Sequence, residues 1–131
     1  MKKYLAHISL VIDDYDKAIA YYTNTLKFIL IEDTKLNAEK RWVLIAPSND
    51  AETKILLAKA SNEEQKSRIG NQTGGRVFLF LYTDNFERDH QNLLSKNVTI
   101  IRTPVIEAWG KVLVFEDQYG NFWDLIQPLK N

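Results

Sequence analysis

The stretch from Val114 to Gln127 places turn-forming residues between two short runs that are rich in apolar, aromatic and β-branched side chains. Within the turn, an aspartate can accept a hydrogen bond from the backbone two residues on, and Gly120 and Asn121 tolerate a positive φ. The flanking runs, Val112 to Glu116 and Phe122 to Gln127, suit a pleated, half-buried surface. The stretch therefore predicts a β-hairpin.

The whole chain shows one pattern of strands and helices twice. The first copy has a strand from Tyr4 to Ile12, a helix from Tyr15 to Thr25, and strands at Phe28 to Glu32, Arg41 to Ala46 and Lys54 to Ala58. After a short helix between Ser61 and Ile69, the second copy has a strand from Val77 to Thr83, a helix ending near Lys96, and strands at Val98 to Arg102, Gly110 to Glu116 and Phe122 to Gln127. These assignments rest on apolar periodicity and turn residues, and they predict βαβββ followed by βαβββ.

A fixed offset tests this repeat. Shifting the chain by 71 residues places Asp14 on Asn85, and both residues suit the N-cap of a predicted helix. The same shift places strand on strand and helix on helix, although His90 falls on Ile19 and interrupts the apolar match. Such a repeat indicates two similar units in tandem. We predict an α+β fold in a single domain over residues 1–131, with units at about 4–60 and 77–128.

Composition excludes several classes of protein. Lysine plus arginine and aspartate plus glutamate both number 17, so no excess of positive charge favours nucleic acid or an anionic membrane. The absence of cysteine removes disulfides and thiolate chemistry, so a metal would need histidine, carboxylate or carbonyl ligands. No stretch has the length and apolarity of a membrane span. We expect a soluble, cytoplasmic protein, and its lack of net charge is compatible with a dimer.

The hairpin and the repeat together resemble the vicinal oxygen chelate superfamily, which includes glyoxalase I, the bleomycin-resistance proteins and the extradiol dioxygenases. The resemblance rests on the Asp-x-x-Gly-Asn turn that begins at Asp117 and on the acidic Asp124 of the last strand, and it covers about Tyr4 to Pro128. It implies two βαβββ units that form a curved mixed sheet around a cleft. Metal ligands, where present, are implied on the first and last strand of each unit.

Four positions test whether this implied metal site is complete. His7 and Asp124 match ligand types of the superfamily, but Leu56 and Phe78 stand at the other two positions. Leucine and phenylalanine side chains offer no oxygen or nitrogen to a divalent cation. We therefore expect no resident cofactor. The open alternative is a divalent metal held by His7 and Asp124, with water or substrate completing its coordination.

Large apolar side chains at ligand positions change the chemistry expected of the cleft. Small-molecule sites have mostly apolar walls and a few convergent polar groups. The predicted ligand-binding residues are His7, Trp42, Leu56, Phe78, Phe80, Trp109 and Asp124. The alternative is that these aromatic side chains belong to the core, which we prefer for Trp123 because neighbouring residues of a strand point to opposite faces.

Three functions are compatible with these patterns. The leading prediction is a small-molecule-binding protein of the bleomycin-resistance type, without a complete metal site, which binds a partly hydrophobic or aromatic ligand and forms a homodimer. The alternative is a metal-dependent lyase or dioxygenase of the glyoxalase type that uses His7 and Asp124, or a metal-free enzyme with His7 as acid or base. A third is an interaction domain without a ligand, whose apolar sheet face is buried in a dimer. The sequence assigns no catalytic residue.

Overall fold

A computed structural model describes residues 2–129, and the chain divides between Ile69 and Gly70 into two units. The first unit contains β1 (His7–Ile12), α1 (Tyr15–Ala20), β2 (Ile29–Lys35), β3 (Arg41–Ala46), β4 (Lys54–Lys59) and α2 (Glu63–Lys66). The second contains β5 (Val77–Tyr82), α3 (Phe86–Ser95), β6 (Ile100–Glu107), β7 (Gly110–Glu116) and β8 (Phe122–Pro128). Both units have the predicted βαβββ order, so the α+β fold class is confirmed.

The two units have the same strand connectivity. The first sheet has the order β1-β4-β3-β2 and the second has the order β5-β8-β7-β6. In each sheet the first strand of the unit pairs in parallel with the last, and the remaining pairs are antiparallel. Each unit therefore builds its own mixed four-stranded sheet, in which the first and last strands lie side by side.

The helix of the first unit begins as its sequence predicts. The Asp14 side chain accepts a hydrogen bond from the backbone N–H of Lys17 at 2.9 Å, which caps the first turn of α1. The chain continues without a break into a π-helix, Tyr21–Thr25, in which Tyr22 is fully buried and its ring lies 6.3 Å from that of Phe28. The helical span thus matches the prediction from Tyr15 to Thr25, although its last turn is wider than an α-helix.

In the second unit, the long helix α3 is tied to the last strand. Asn85 caps the helix by accepting a hydrogen bond from the backbone N–H of Arg88 at 3.1 Å. The backbone N–H of Phe86 donates to Gln127 Oε1 of β8 at 2.7 Å. Phe86 and Leu93 are buried, and they pack the helix on the sheet. The side chain of Gln127 therefore marks the face of the second sheet that α3 covers.

The β7–β8 hairpin is organised by the buried carboxylate of Asp117. This carboxylate accepts hydrogen bonds from the backbone N–H groups of Tyr119 and Asn121, both at 3.0 Å, and from the Asn121 side-chain amide. It also accepts one from Trp123 Nε1 at 3.0 Å. The Trp123 ring is 2% exposed and stacks on Phe115, with ring centroids 5.8 Å apart. The predicted hairpin and the predicted core position of Trp123 are therefore both confirmed.

Several element boundaries differ from the sequence prediction for local physical reasons. Strand β1 begins at His7 and not at Tyr4. Strand β6 spans Ile100–Glu107, because two register shifts let it continue past Pro104. The short helix α2 is capped by Asn62, whose side chain accepts from the backbone N–H of Gln65 at 2.8 Å. Within residues 2–129, no helix is long and apolar enough to cross a membrane.

Replacing Asp117, whose carboxylate organises the hairpin, should severely destabilise the protein. Asp117→Ala leaves the donors of Tyr119, Asn121 and Trp123 without their acceptor, two of them in buried residues. We expect a loss of about 3 kcal/mol in the free energy of unfolding and a fall in Tm of roughly 10 °C, measured by thermal and urea denaturation. Gln118→Ala, in the same turn but exposed, serves as the control and should change stability by less than about 0.5 kcal/mol. Equal stability of the two variants would contradict a structural role for this carboxylate.

Candidate functional site

Three of the predicted ligand residues lie on one face of the first sheet. Leu56 of β4 pairs with Ser9 of β1 and with Leu44 of β3. Side chains two residues apart on a strand share a face, so His7 and Trp42 lie on the same face as Leu56. The rings of His7 and Trp42 meet edge to face, with centroids 5.8 Å apart and an interplanar angle of 70°. The imidazole of His7 therefore has an aromatic neighbour within its own unit.

Asp124 and Phe80 lie together in the second sheet. Asp124 of β8 pairs with Phe80 of β5 on one side and with Val114 of β7 on the other. The residues beside Asp124 in the strand, Trp123 and Leu125, are buried on the α3 side of the sheet. Asp124 and its paired neighbours consequently point away from α3. We call this surface, formed by Phe80, Tyr82, Asp124, Val114 and Arg102, the site face.

The two phenylalanines of β5 are in different environments. A register shift between Val77 and Leu79 places Phe78 in a β-bulge, where the alternation of strand faces is interrupted. Unbroken alternation along β5 would place Phe78 and Phe80 on the same face, but the bulge interrupts that alternation. Tyr82 follows Phe80 in continuous register, lies on the site face and is 69% exposed. Sequence reasoning missed Tyr82, although it is the next residue of the same alternation.

Asp124 carries a carboxylate oxygen that is covered but not satisfied. Its Oδ1 atom has less than 1 Å² of accessible surface and no hydrogen-bond partner among residues 2–129. Burial raises the pKa of this carboxyl group above its usual range, and the positive charge of Arg102 partly opposes the rise. The rest of the side chain remains half-exposed. The site face thus holds an acidic group that is poorly solvated in its charged form.

Arg102 is the second charged residue of the site face. It pairs with Val114 of β7, which separates it from Asp124 in the sheet. Register shifts interrupt β6 on both sides of this pair, before and after Arg102. Bulges of this kind re-aim side chains and are frequent beside functional sites. The sequence contains no periodic signal for Arg102, because its position on this face depends on those two irregularities.

Trp109 lies outside the strands, in the turn between β6 and β7. Its side chain is 52% exposed, and its carbonyl accepts a hydrogen bond from the backbone N–H of Leu129 at 3.1 Å. The next residue, Gly110, has φ +155, and a Cβ atom there would lie 2.5 Å from the carbonyl oxygen of Gln127. Only glycine therefore allows β7 to approach β8 this closely at the position that follows Trp109.

The residues around Asp124 in its own sheet do not form a site for a divalent cation. Phe80 and Val114 have no donor atoms, and Arg102 is positively charged. Within the described residues 2–129, no group of three or more histidine, aspartate or glutamate side chains is arranged to hold a metal ion. His7 belongs to the first sheet, so it is not among the neighbours of Asp124 within the second sheet.

A separate groove of about 460 Å³ lies on the α3 side of the second unit. Its lining includes Phe86, Ile106, Lys111, Gln127 and Leu129. The ammonium group of Lys111 stands 4.8 Å from the centre of the Phe86 ring, which places these side chains on the face opposite Asp124. The groove therefore contains none of the predicted ligand residues.

Comparison with known families and structures agrees with the observed fold. The family model described as the Glyoxalase/Bleomycin resistance protein/Dioxygenase superfamily matches residues 4–125. An uncharacterized protein of Shewanella frigidimarina is 51% identical over 128 residues, which cover 97% of this chain and 95% of that protein.

Two solved structures are similar along nearly their whole length. The crystal structure of UcmS2 is 27% identical, has a TM-score of 0.82, and the match covers 96% of this chain and 98% of UcmS2. TnmS3, described as an antibiotic binding protein from Streptomyces sp. CB03234, is 26% identical with a TM-score of 0.77, and the match covers 98% of each chain. The similarity thus extends over both units of the fold.

Removing the charge of Asp124 should stabilise the protein at neutral pH. A carboxyl group whose pKa is raised on folding adds no penalty below the pKa of the unfolded chain, and stability is lost as the pH rises through the folded pKa. Asp124→Asn should therefore raise the free energy of unfolding by about 1 kcal/mol at pH 7, and Tm by roughly 2–5 °C.

The difference should disappear at about pH 2.5, well below the ordinary aspartate pKa of about 3.9, because the carboxyl group is then protonated in both the folded and the unfolded state. Thermal unfolding of both proteins between about pH 2.5 and pH 8 measures this. Glu39→Gln, in an exposed loop, is the charge-matched control and should show no such trend. A neutral-pH loss of stability in Asp124→Asn would mean that the carboxylate has a stabilising partner.

Proposed function

We infer that this chain, which belongs to the Glyoxalase/Bleomycin resistance protein/Dioxygenase superfamily, binds a small, partly aromatic organic molecule at the site face of its second unit. The observation that carries this proposal is the pairing of exposed aromatic side chains with the unsatisfied Asp124 carboxylate. Phe80 is 64% exposed and lies directly beside Asp124 in the sheet. An apolar wall with one oriented polar group is the usual composition of a small-molecule site.

Without a ligand, the site face leaves two aromatic rings exposed and one oxygen of Asp124 without a donor among residues 2–129. Phe80 and Tyr82 leave most of their aromatic surface in water, although each could remove a large apolar area from solvent by stacking. Asp124 lacks a donor for Oδ1 among residues 2–129, which is unfavourable for the charged carboxylate. A planar molecule with a hydrogen-bond donor would cover these rings and give the half-exposed part of the Asp124 carboxylate a partner. Phe80, Tyr82 and Asp124 are not among the buried core residues of the unit.

The relatives support the same class of function. TnmS3, which shares this fold over its full length, is described as an antibiotic binding protein. Sequestration of a small organic compound requires affinity but no catalytic group, which agrees with a site that has one carboxylate and aromatic walls. We also propose that the protein acts in the cytoplasm as a homodimer. Light scattering at micromolar concentration tests the dimer.

A second candidate function follows from the same unsatisfied oxygen. A divalent metal is an alternative partner for the Asp124 carboxylate, and a metal-dependent lyase or dioxygenase would use it together with His7. The apolar and cationic neighbours of Asp124 within its own sheet favour the organic ligand over the metal. We therefore propose the metal-dependent enzyme only as the second candidate, after the protein that binds an organic ligand.

Binding of a neutral aromatic probe should depend on Phe80. We expect 2-naphthol to bind the protein and Phe80→Ala to weaken that binding by roughly tenfold, because stacking on an aromatic side chain typically contributes about 1–3 kcal/mol. Isothermal titration and tryptophan fluorescence measure the affinity. Ile106→Ala removes an even more exposed apolar group, which lies in the groove on the α3 side, and should leave the affinity unchanged. The reverse pattern would place the ligand in that groove and overturn the proposed site.

Metal titration separates the two candidate functions. The protein, purified without chelator or histidine tag, should bind Ni(II), Zn(II), Mn(II) and Fe(II) no more tightly than His7→Ala or Asp124→Asn does. A stoichiometric metal with a micromolar or lower Kd that is lost in both variants would favour the enzyme and direct attention to glyoxalase and dioxygenase assays. Metal content by mass spectrometry and binding by calorimetry provide the two measurements.

A further inference from the structure

One row of side chains crosses all four strands of the second sheet. Phe80 of β5 pairs with Asp124 of β8, Asp124 pairs with Val114 of β7, and Val114 pairs with Arg102 of β6. Residues paired in this way point to the same face of a sheet. The row therefore presents, in order, an aromatic ring, a carboxylate, an apolar spacer and a guanidinium group.

The two charges of this row are near each other but do not form an ion pair. Two strand spacings separate their backbones, about 10 Å in a regular sheet. The positive charge of Arg102 lowers the pKa of Asp124, so the guanidinium group is within electrostatic range of the carboxylate. Among residues 2–129, neither side chain forms a salt bridge with any other residue. Both charges are therefore available to a third group placed between or above them.

The first unit provides an internal comparison for this row. The equivalent row of the first sheet contains Ser9, Leu56, Leu44 and Glu32, in the strand order β1-β4-β3-β2. Leucine fills the position that Asp124 holds in the second sheet, and the only charge lies at the edge strand. The βαβββ fold thus forms without a carboxylate at this position, so folding does not explain why Asp124 is present.

We propose that the row from Phe80 to Arg102 selects aromatic molecules that carry a hydrogen-bond donor or cationic group at one end and an anionic group at the other. This inference rests on the function proposed above and names the ligand class of the same site. The donor end binds the half-exposed carboxylate of Asp124, and the anionic end binds the guanidinium group of Arg102. The ring carries both groups across the row, with Phe80 beside its donor end. Each polar end thus receives the charge-assisted hydrogen bonds that the row itself does not form.

The chemistry of Asp124 and of Arg102 explains which ligand group each residue prefers. The covered oxygen of Asp124 makes the charged carboxylate unfavourable when it has no partner, and a cationic donor offsets that cost. The guanidinium group of Arg102 is planar and can donate two parallel hydrogen bonds to a carboxylate, sulfonate or phosphate. Val114 offers neither donor nor acceptor, so it keeps the two ends separate. A ligand with two groups of the same charge would meet repulsion at one end.

Four benzene derivatives test this inference, because they differ only in their charged groups. They are 4-(aminomethyl)benzoate with both charges, benzylamine with the cation alone, benzoate with the anion alone, and benzyl alcohol with neither. NMR titration of the full-length protein at pH 7 measures all four affinities. We expect 4-(aminomethyl)benzoate to bind about tenfold more tightly than either singly charged probe, since each charge-assisted hydrogen bond typically changes affinity by about that factor.

Two variants, each of which removes one charge, test which residue binds each end of the ligand. Asp124→Asn should weaken binding of 4-(aminomethyl)benzoate and benzylamine by about tenfold and should not weaken binding of benzoate. Arg102→Gln should weaken binding of 4-(aminomethyl)benzoate and benzoate by a similar factor and should not weaken binding of benzylamine. The double variant should bind all four probes with similar affinity. Glu39→Gln is the control, and the NMR spectrum of each variant shows whether its fold is intact.

The possible failures are distinguishable. If all four probes bind equally to the parent protein and to both variants, the charge row has no role, while aromatic binding and the proposed function survive. If no probe binds the parent protein, including neutral benzyl alcohol and 2-naphthol, both the row and the proposed function are overturned. If the variants lose affinity for every probe alike with intact spectra, Asp124 and Arg102 support the site without recognising charge, which also overturns the inference.

Discussion

The hydrogen bonds to Asp117 are the interaction on which the second unit depends. By accepting from Trp123 Nε1 as well as from the turn backbone, this carboxylate fixes both the hairpin and the position of the indole ring in the core. Strand residues alternate between faces, so a buried Trp123 forces Asp124 onto the opposite face. A slip of one residue would bury the charge of Asp124 and expose the indole. The location of the candidate site is therefore a consequence of the turn that closes the sheet.

The two units show how one connectivity can support different surfaces. Both sheets place the last strand beside the first, and both pack a helix on one face. At the equivalent positions of the other face, however, the first unit has Leu56 and the second has Asp124. The core side tolerates little change, because its side chains interlock with the helix. On the opposite face of the second sheet, Phe80 and Tyr82 are exposed and Asp124 is half-buried, so these positions can carry binding groups without altering the packing on the helix side.

Much of the fold could be predicted from local patterns, whereas the full composition of the site could not. Apolar alternation and the capping side chains of Asp14 and Asn85 signal strands and helices through neighbouring residues alone. The charged partner Arg102 was not found, because its direction depends on register shifts in β6 that involve the pairing strand β7. The bulge at Phe78 could not be predicted from the sequence either, because it depends on the pairing of β5 with β8. Sequence periodicity reports the faces of regular strands, but it does not report where pairing becomes irregular.

Under the proposed function, the unfavourable state of the charged Asp124 carboxylate provides selectivity between ligands. A site that gained affinity only through aromatic contact would accept any flat apolar molecule of suitable size, because apolar contacts discriminate weakly. A carboxylate with a covered, unsatisfied oxygen adds a penalty that only ligands with a donor remove. Molecules of the same shape that lack the donor leave the penalty in place. Under the proposed function, the protein gives up some stability in the free state and recovers that free energy when a ligand with a donor binds.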